Sequence, residues 1–432
     1  MGKQREDYYW HRLDNAAKVF PAVRSSSNSS VFRLSAKLKE SVDPELLAFA
    51  VESALKELPT FRVKLRRGLF WYYWETNDQR PIILEDCFYP LRGIDKRQNN
   101  GYMFRVTYYG QKINLEMFHA LTDGAGAMVL LKSIVYFYLK QRHREEVAVN
   151  ELLADTGFSQ HALDEDSFQR LRNRMEKKPP RPKVTTAYQL KGARYLGDRV
   201  DVTQGILPTG EVLKLAKQAG VTVTAYLVSL LLYAIDRTNF QYYAENKPVV
   251  CSVPVNLRGF FQSSTIRNFF SFITVSVNFH QKKYTFEQVL EEVSGQMKEA
   301  LQLESLSQRL AYNLNAERNL AIRFIPLFAK NFFLRAIYRR GEKGYTTTLS
   351  NLGQVRLPTE QLPYVERFEA LNNLTRSQCF KVCLCSLGER MTVSFVSGME
   401  DKDVERFFFR SLANQGVEVQ IVSNEVDEDE IL

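Results

Sequence analysis

An alternating run that closes on a histidine, followed at once by a long apolar run without proline, constrains this chain more than any other stretch. From Lys112 to His119, Ile113, Leu115, Met117 and His119 fall on one face while Asn114, Glu116 and Phe118 fall on the other, which is the period of a strand. Ala125 to Lys140 then carries Met128, Leu131, Val135 and Tyr138 at helical spacing. Asp123 stands where a helix N-cap belongs. The segment Phe118-His119-Ala120-Leu121-Thr122-Asp123-Gly124 therefore reads as strand, turn, helix, with the pattern H-x-x-x-D-G. Its spacing sets an imidazole at a strand end and a carboxylate at the turn, an arrangement suited to fixing a general base. A lone histidine on an apolar face is more often a satisfied core residue, and a lone Asp a cap, so companions must decide.

At 432 residues the chain has room for about two or three domains, each with its own apolar interior. With 45% hydrophobic and 25% charged residues, a wholly disordered or collagen-like chain is excluded. The net charge of +9 is spread along the chain and suits a phosphate-bearing small molecule, an acidic carrier protein or a membrane surface. Basic and aromatic residues interleave at Phe61-Arg62-Val63-Lys64-Leu65-Arg66-Arg67, but without a nucleic-acid motif, so no nucleic-acid partner is expected. Five sparse cysteines, Cys87, Cys251, Cys379, Cys383 and Cys385, argue against a disulfide scaffold and for a reducing compartment. Cys379, Cys383 and Cys385 read as half-buried strand residues. With no histidine beside them and Lys381 between them, they do not read as a metal site. The N-terminus, Met1 to Asp7, lacks an apolar signal core, and Glu6 stands where a myristoylation signal wants Ser or Thr. No run of about 20 apolar residues occurs. The expected location is the cytoplasm.

Strands and helices alternate through the first half. Val31 to Leu38 alternates as a strand, Asp43-Pro44 opens a helix to Leu58, and Phe61 to Glu75 reads as a hairpin turning at Arg66-Arg67-Gly68. Met103 to Tyr109 and Lys112 to His119 form another hairpin around Gly110. From Gln141 to Tyr195 the chain is polar and charged, and Lys177 to Lys183 is its best linker. The expected division is 1–175, a linker 176–195, and 196–432. The second half restarts with a strand near Ile206, helices over Thr209 to Gln218 and Thr224 to Ile235, and buried strands over Val249 to Leu257 and Phe272 to Phe279. This repeated order points to a duplicated domain. The run Ala321 to Arg335 mixes apolar residues with positive charge, fitting a membrane surface, a substrate channel or the other domain. Glu425 to Glu430 reads as a solvated tail.

Two further segments bear on His119. Pro254-Val255-Asn256-Leu257-Arg258 ends a strand, with Asn268 a loop later, and Thr348-Leu349-Ser350-Asn351-Leu352-Gly353 ends another. Singly, each is an ordinary strand end or turn. Together, in this order, they resemble the CoA-dependent acyltransferase superfamily, which includes chloramphenicol acetyltransferase and the peptide-synthetase condensation domains. The resemblance is strongest to the alcohol acetyltransferase-like branch, through Leu13 to Pro21, His119 to Gly124, Pro254 to Arg258, and Ser350 to Gly353.

That resemblance implies an α/β fold of two similar chloramphenicol acetyltransferase-like domains, with mixed sheets and helices, a central tunnel at the domain interface, and a crossover from the second domain completing the first. It also implies direct acyl transfer from acyl-CoA as co-substrate to a small or lipidic alcohol, with no tightly bound cofactor, no metal and no acyl-enzyme. His119 is then the general base. Asp123 is a structural brace paired with Arg258. The Gly124 backbone N–H and the side chains of Ser350, Asn351 and Asn268 are candidate oxyanion or substrate contacts. Phe118 stands where condensation domains carry a first histidine, and no D-F-G-W-G sequence occurs, which disfavours the condensation and plant branches. The alternatives are a donor bound to an acyl carrier protein, an amine acceptor, and an inactive binding module of the same fold.

Overall fold

A computed structural model describes residues 10–25, 28–86, 89–144, 147, 165–172, 185–197, 199–239, 246–315 and 324–424. The N-terminal heptapeptide, Cys87, the Lys177 to Lys183 stretch and the acidic end lie outside the described residues. The first half runs β1 (Trp10–Arg12), α1 (Val19–Val23), β2 (Val31–Leu38), α2 (Pro44–Glu57), β3 (Val63–Arg67), β4 (Tyr72–Thr76), β5 (Ile83–Glu85), β6 (Phe104–Tyr109), β7 (Lys112–Phe118), α3 (Gly124–Arg142) and α4 (Ser167–Arg172). The second half runs β8 (Asp201–Pro208), α5 (Thr209–Gln218), α6 (Val223–Asn239), β9 (Val249–Asn256), α7 (Arg258–Phe261), β10 (Phe270–Val277), α8 (Phe286–Ala300) and α9 (Leu303–Asn315). It ends with α10 (Leu327–Glu342), β11 (Thr347–Gln354), β12 (Val365–Leu371), β13 (Phe380–Leu387), β14 (Arg390–Ser397), α11 (Asp403–Ala413) and β15 (Gln420–Ser423).

Local chemistry sets these bounds. The Asp43 carboxylate accepts from the N–H groups of Glu45 and Leu46, and Pro44 occupies the first turn of α2, where its missing N–H costs nothing. Gly110, at φ 51°, turns β6 back along β7. The seventeen residues of α6 are apolar on nearly every side because the helix is buried in the second core.

Two mixed sheets result. The first has strand order β12-β2-β7-β6-β5, the second β10-β9-β11-β13-β14-β8-β15, and β1, β4 and β3 form a small third sheet. The two halves are similar α/β domains, each with its own core. Strand β12 comes from the second half in sequence yet pairs antiparallel with β2, from Val365 opposite Leu38 to Leu371 opposite Arg33. It is the crossover that completes the first sheet. Helices α2 and α3 pack side by side on that sheet, burying Leu47, Val51 and Leu55 of α2 among others.

Several local expectations need correction. Strand β7 is buried on both faces, not only on the side of Leu115 and Met117. Glu116 is accommodated because Arg33 Nε lies 3.0 Å from its Oε1, Arg105 Nε 2.9 Å from its Oε2, and the Leu91 N–H donates to Oε1 at 2.7 Å. The β3–β4 hairpin turns at Gly68 to Trp71, closed by the Gly68 N–H on the Trp71 carbonyl at 2.9 Å, rather than at Arg66-Arg67-Gly68. Cys379, Cys383 and Cys385 are fully buried rather than half-buried: Cys383 and Cys385 lie on β13, an inner strand with neighbours on both edges, and Cys379 immediately precedes it. Within the polar stretch from Gln141 to Tyr195, α4 sends Phe168 and Leu171 into the second core, and Tyr188 donates its N–H to Pro248.

Candidate functional site

β7 stops at Phe118, and the chain turns through His119 before Asp123 caps α3. The turn is held by the His119 N–H on the Ser30 carbonyl and the Leu121 N–H on the Phe118 carbonyl, both at 2.8 Å. Asp123 is engaged by Arg258 and by backbone N–H groups. Its Oδ2 accepts from Arg258 Nη1 at 2.9 Å and from the Phe269 N–H at 2.8 Å, while Oδ1 accepts from Arg258 Nη2 at 3.0 Å and the Gly126 N–H at 3.1 Å. The guanidinium is equally committed. Nε donates to the Thr265 carbonyl at 2.7 Å, Nη1 also reaches Asn256 Oδ1 at 3.1 Å, and Nη2 reaches the Arg267 carbonyl at 2.7 Å. A carboxylate accepting four hydrogen bonds has no lone pair left for proton transfer, so Asp123 welds the start of α3 to the second domain.

Glycine at 126 is what permits that weld. A methyl there would overlap the Ile266 carbonyl and Thr122 Oγ1, which are themselves bonded at 2.5 Å. At Gly124 an added carbon would press on the Leu352 side chain.

A continuous cavity of about 2690 Å³ lies between the two domains and reaches His119, Gly124, Ala125, Arg258, Ser350 and Asn351. The imidazole is half-buried and boxed by rings: Phe20 stacks on it at 4.4 Å between centroids and 11° between planes, Phe32 meets it edge-on at 5.0 Å, and Phe270 lies at 5.3 Å. Burial pushes its pKa below the ordinary 6.5; its own backbone carbonyl, Asp123 and the Asn268 side chain oppose the shift, and the nearby Lys381 ammonium adds to it. Gly124 and Ala125 are the first residues of α3, whose leading N–H groups have no carbonyl within the helix to receive them, and both line the cavity.

The remaining candidates divide. Ser350 lines the cavity on β11, with its Oγ 3.5 Å from Asn372 Nδ2. Asn351 also lines it, but its amide donates to Thr224 Oγ1 at 2.8 Å and accepts from the Gly353 N–H at 2.7 Å, which holds an irregularity in the β11–β13 register. Asn268 does not line the cavity. It is buried, its Nδ2 donates to Asp14 Oδ2 at 3.2 Å, and its Oδ1 has no protein partner; the same holds for His119 Nδ1. Burial raises the Asp14 carboxyl to about 6, against the pull of Arg267.

Structures of other proteins share this architecture. TRI101 of F. sporotrichioides, solved with coenzyme A and T-2, superposes with a TM-score of 0.63 over 95% of this chain and 99% of that one, at 12% identity. TRI3, the trichothecene 15-O-acetyltransferase from Fusarium sporotrichioides, gives 0.59 over 94% of each chain at 11% identity. The fold is the one that these acetyltransferase structures share. The starter condensation domain of rhizomide synthetase, in complex with C8-CoA and Leu-SNAC, gives 0.56 over 94% of each chain at 12% identity. No family model and no curated protein matches the sequence.

On this acyltransferase fold, three features of the site escape sequence reasoning. The aromatic box is scattered over α1, β2 and β10, and no local pattern unites Phe20, Phe32 and Phe270. Asp14, beneath Asn268, lies 254 residues from it. Lys381 did leave a signal, a single charge inside the apolar run of β13. It is buried, faces the cavity, and burial lowers its pKa against the opposing pull of Glu342.

Proposed function

We infer that this protein transfers an acyl group from acyl-CoA directly to a hydroxyl acceptor. The observation that carries the reading is an imidazole boxed by aromatic rings and opening on an interdomain cavity, its pKa lowered by burial, on a turn whose own carboxylate, Asp123, is fully engaged by Arg258 and two backbone N–H groups. Single-ligand sites enclose roughly 300–1,000 Å³, so a cavity of about 2690 Å³ accommodates a long donor and an acceptor together.

The acceptor oxygen attacks the thioester carbonyl carbon as His119 Nε2 takes its proton. The tetrahedral oxyanion sits by the N–H groups of Gly124 and Ala125 and the Ser350 hydroxyl. The C–S bond then breaks, and the imidazolium returns the proton to the thiolate, giving an ester and free CoA thiol. The nitrogen roles follow from the surroundings. Asp14 takes the Asn268 amide N–H, and the Asn268 side chain lies near enough to the imidazole to raise its pKa. Nδ1 is buried away from the cavity, so we assign the ring proton to it and the base to Nε2. No metal and no resident cofactor enters these steps.

The neighbours solved with coenzyme A and C8-CoA, and the O-acetyltransferase among them, support a CoA donor and an alcohol acceptor. The condensation-domain likeness favours a second reading, a donor carried on an acyl carrier protein. The test is a panel of acetyl and longer acyl-CoAs, and a phosphopantetheinyl carrier loaded with the same acyl groups, each offered with short and long alcohols. Thiol release and ester mass are followed together. Turnover with acyl-CoA supports the first reading, turnover only with the carrier the second, and ester formation with neither contradicts both.

A further inference from the structure

The hairpin tip between β3 and β4 and the outer face of α10 form one unit. The Leu327 N–H donates to the Leu69 carbonyl at 2.9 Å, Lys330 Nζ to the Phe70 carbonyl at 3.0 Å, and Asn331 Nδ2 to the Tyr72 hydroxyl at 2.9 Å. These inward contacts fix the roll of the helix, and what it turns outward is unusual. Leu69, Trp71, Phe328, Phe332, Phe333 and Ile337 are each between 43 and 71% exposed. Scattered apolar residues on a surface need no explanation, but six large ones on two bonded elements do.

Charge identifies the occupant. Arg67 at the hairpin tip and Arg335, Arg339 and Arg340 on the last turns of α10 are exposed around the apolar tips. The acid on that helix, Glu342, is turned toward Thr375 and Gln378. Apolar rings ringed by arginine match a layer with an anionic surface and a hydrocarbon interior. A second copy of the chain meeting this face symmetrically would bring the same arginines together, while the acid of α10, Glu342, is turned away and Glu75 of the hairpin is already paired with Arg66. Trp71, Phe333 and Ile337 are exposed and also line the cavity, so the mouth of the cavity opens within the patch. We propose that this face docks on an anionic lipid surface, with the cavity mouth against the bilayer so that a lipidic acceptor enters from it. The docking itself is independent of the reaction at His119. Only the acceptor's route rests on that reading.

The test is co-sedimentation of the full chain with phosphatidylcholine vesicles, and with vesicles in which a third of the lipid is phosphatidylglycerol, at low and high salt. The protein is expected on the anionic vesicles, with binding weakened by salt. Phe328→Ser with Phe332→Ser should lower the bound fraction's partition coefficient by about tenfold or more, and Arg339→Glu with Arg340→Glu should abolish the preference for anionic lipid. Neither pair lines the cavity, so melting temperature and thiol release with a short soluble alcohol should be unchanged. Failure of the wild type to bind either vesicle would overturn the proposal. So would equal binding by the variants, or self-association in the ultracentrifuge that the phenylalanine pair abolishes without any vesicle binding. A protein that binds vesicles but releases no thiol with any donor would instead refute acyl transfer and leave the surface standing.

Discussion

The imidazole of His119 owes its properties to the residues packed around it. Burial by Phe20, Phe32 and Phe270 and the Lys381 ammonium both favour the neutral ring, so the acid limb of kcat/KM should lie below the ordinary imidazole value of 6.5. Lys381→Met removes a positive charge that lowers this pKa. The limb should therefore move to higher pH, and a limb that stays in place or moves down would contradict the electrostatic account. Asp123→Asn keeps the side chain's shape but replaces a charged partner of Arg258 and sets an amide N–H against donors already aimed at it. Breaking a buried ion pair costs about 3–5 kcal/mol, so melting temperature should drop together with kcat. Loss of rate with unchanged melting would mean that Asp123 acts on the reaction and not through the turn.

At the scale of elements, the start of α3 is where the two domains meet, and Gly126 is its tightest point. Gly126→Ala forces the helix off the Ile266 carbonyl and should destabilise the fold by about 1–3 kcal/mol, the usual range for overpacking, as read by chemical denaturation. A variant as stable as the wild type would show that this contact is loose. Elements of this kind were legible unequally. Strand β2 over Val31–Leu38 and helix α5 over Thr209–Gln218 have the bounds that alternation and helical spacing assign, because those signals are local. The buried polar face of β7 was legible only in part: Arg105 stands opposite Glu116 across the expected β6–β7 hairpin, whereas Arg33, which also neutralises Glu116, lies 83 residues away. The same limit applies to Asp123 and Arg258, 135 residues apart, whose pairing followed from family resemblance and not from spacing. The β3–β4 turn slipped because Gly68 reads as its last residue, whereas it is the first, its N–H closing the loop on the Trp71 carbonyl.

Across the whole molecule, the sheet that carries His119 is unfinished without β12. Residues 1–195 expressed alone leave β2 as an unpaired edge next to an apolar core, which should drive aggregation. Co-expression with residues 196–432 should recover a soluble pair, and a folded, monomeric 1–195 would contradict the structural dependence of the first domain on the second. The same interlocking places the cavity between the domains, where both contribute walls and neither alone encloses it. The central claim is that His119 is the base for acyl transfer in that space, and free thiol release from acyl-CoA in the presence of an accepted alcohol tests it most directly. His119→Ala, with melting temperature matched to the wild type, should lower the rate by roughly 10²–10⁴-fold, the usual contribution of a positioned general base. Equal release by the two proteins would contradict the account.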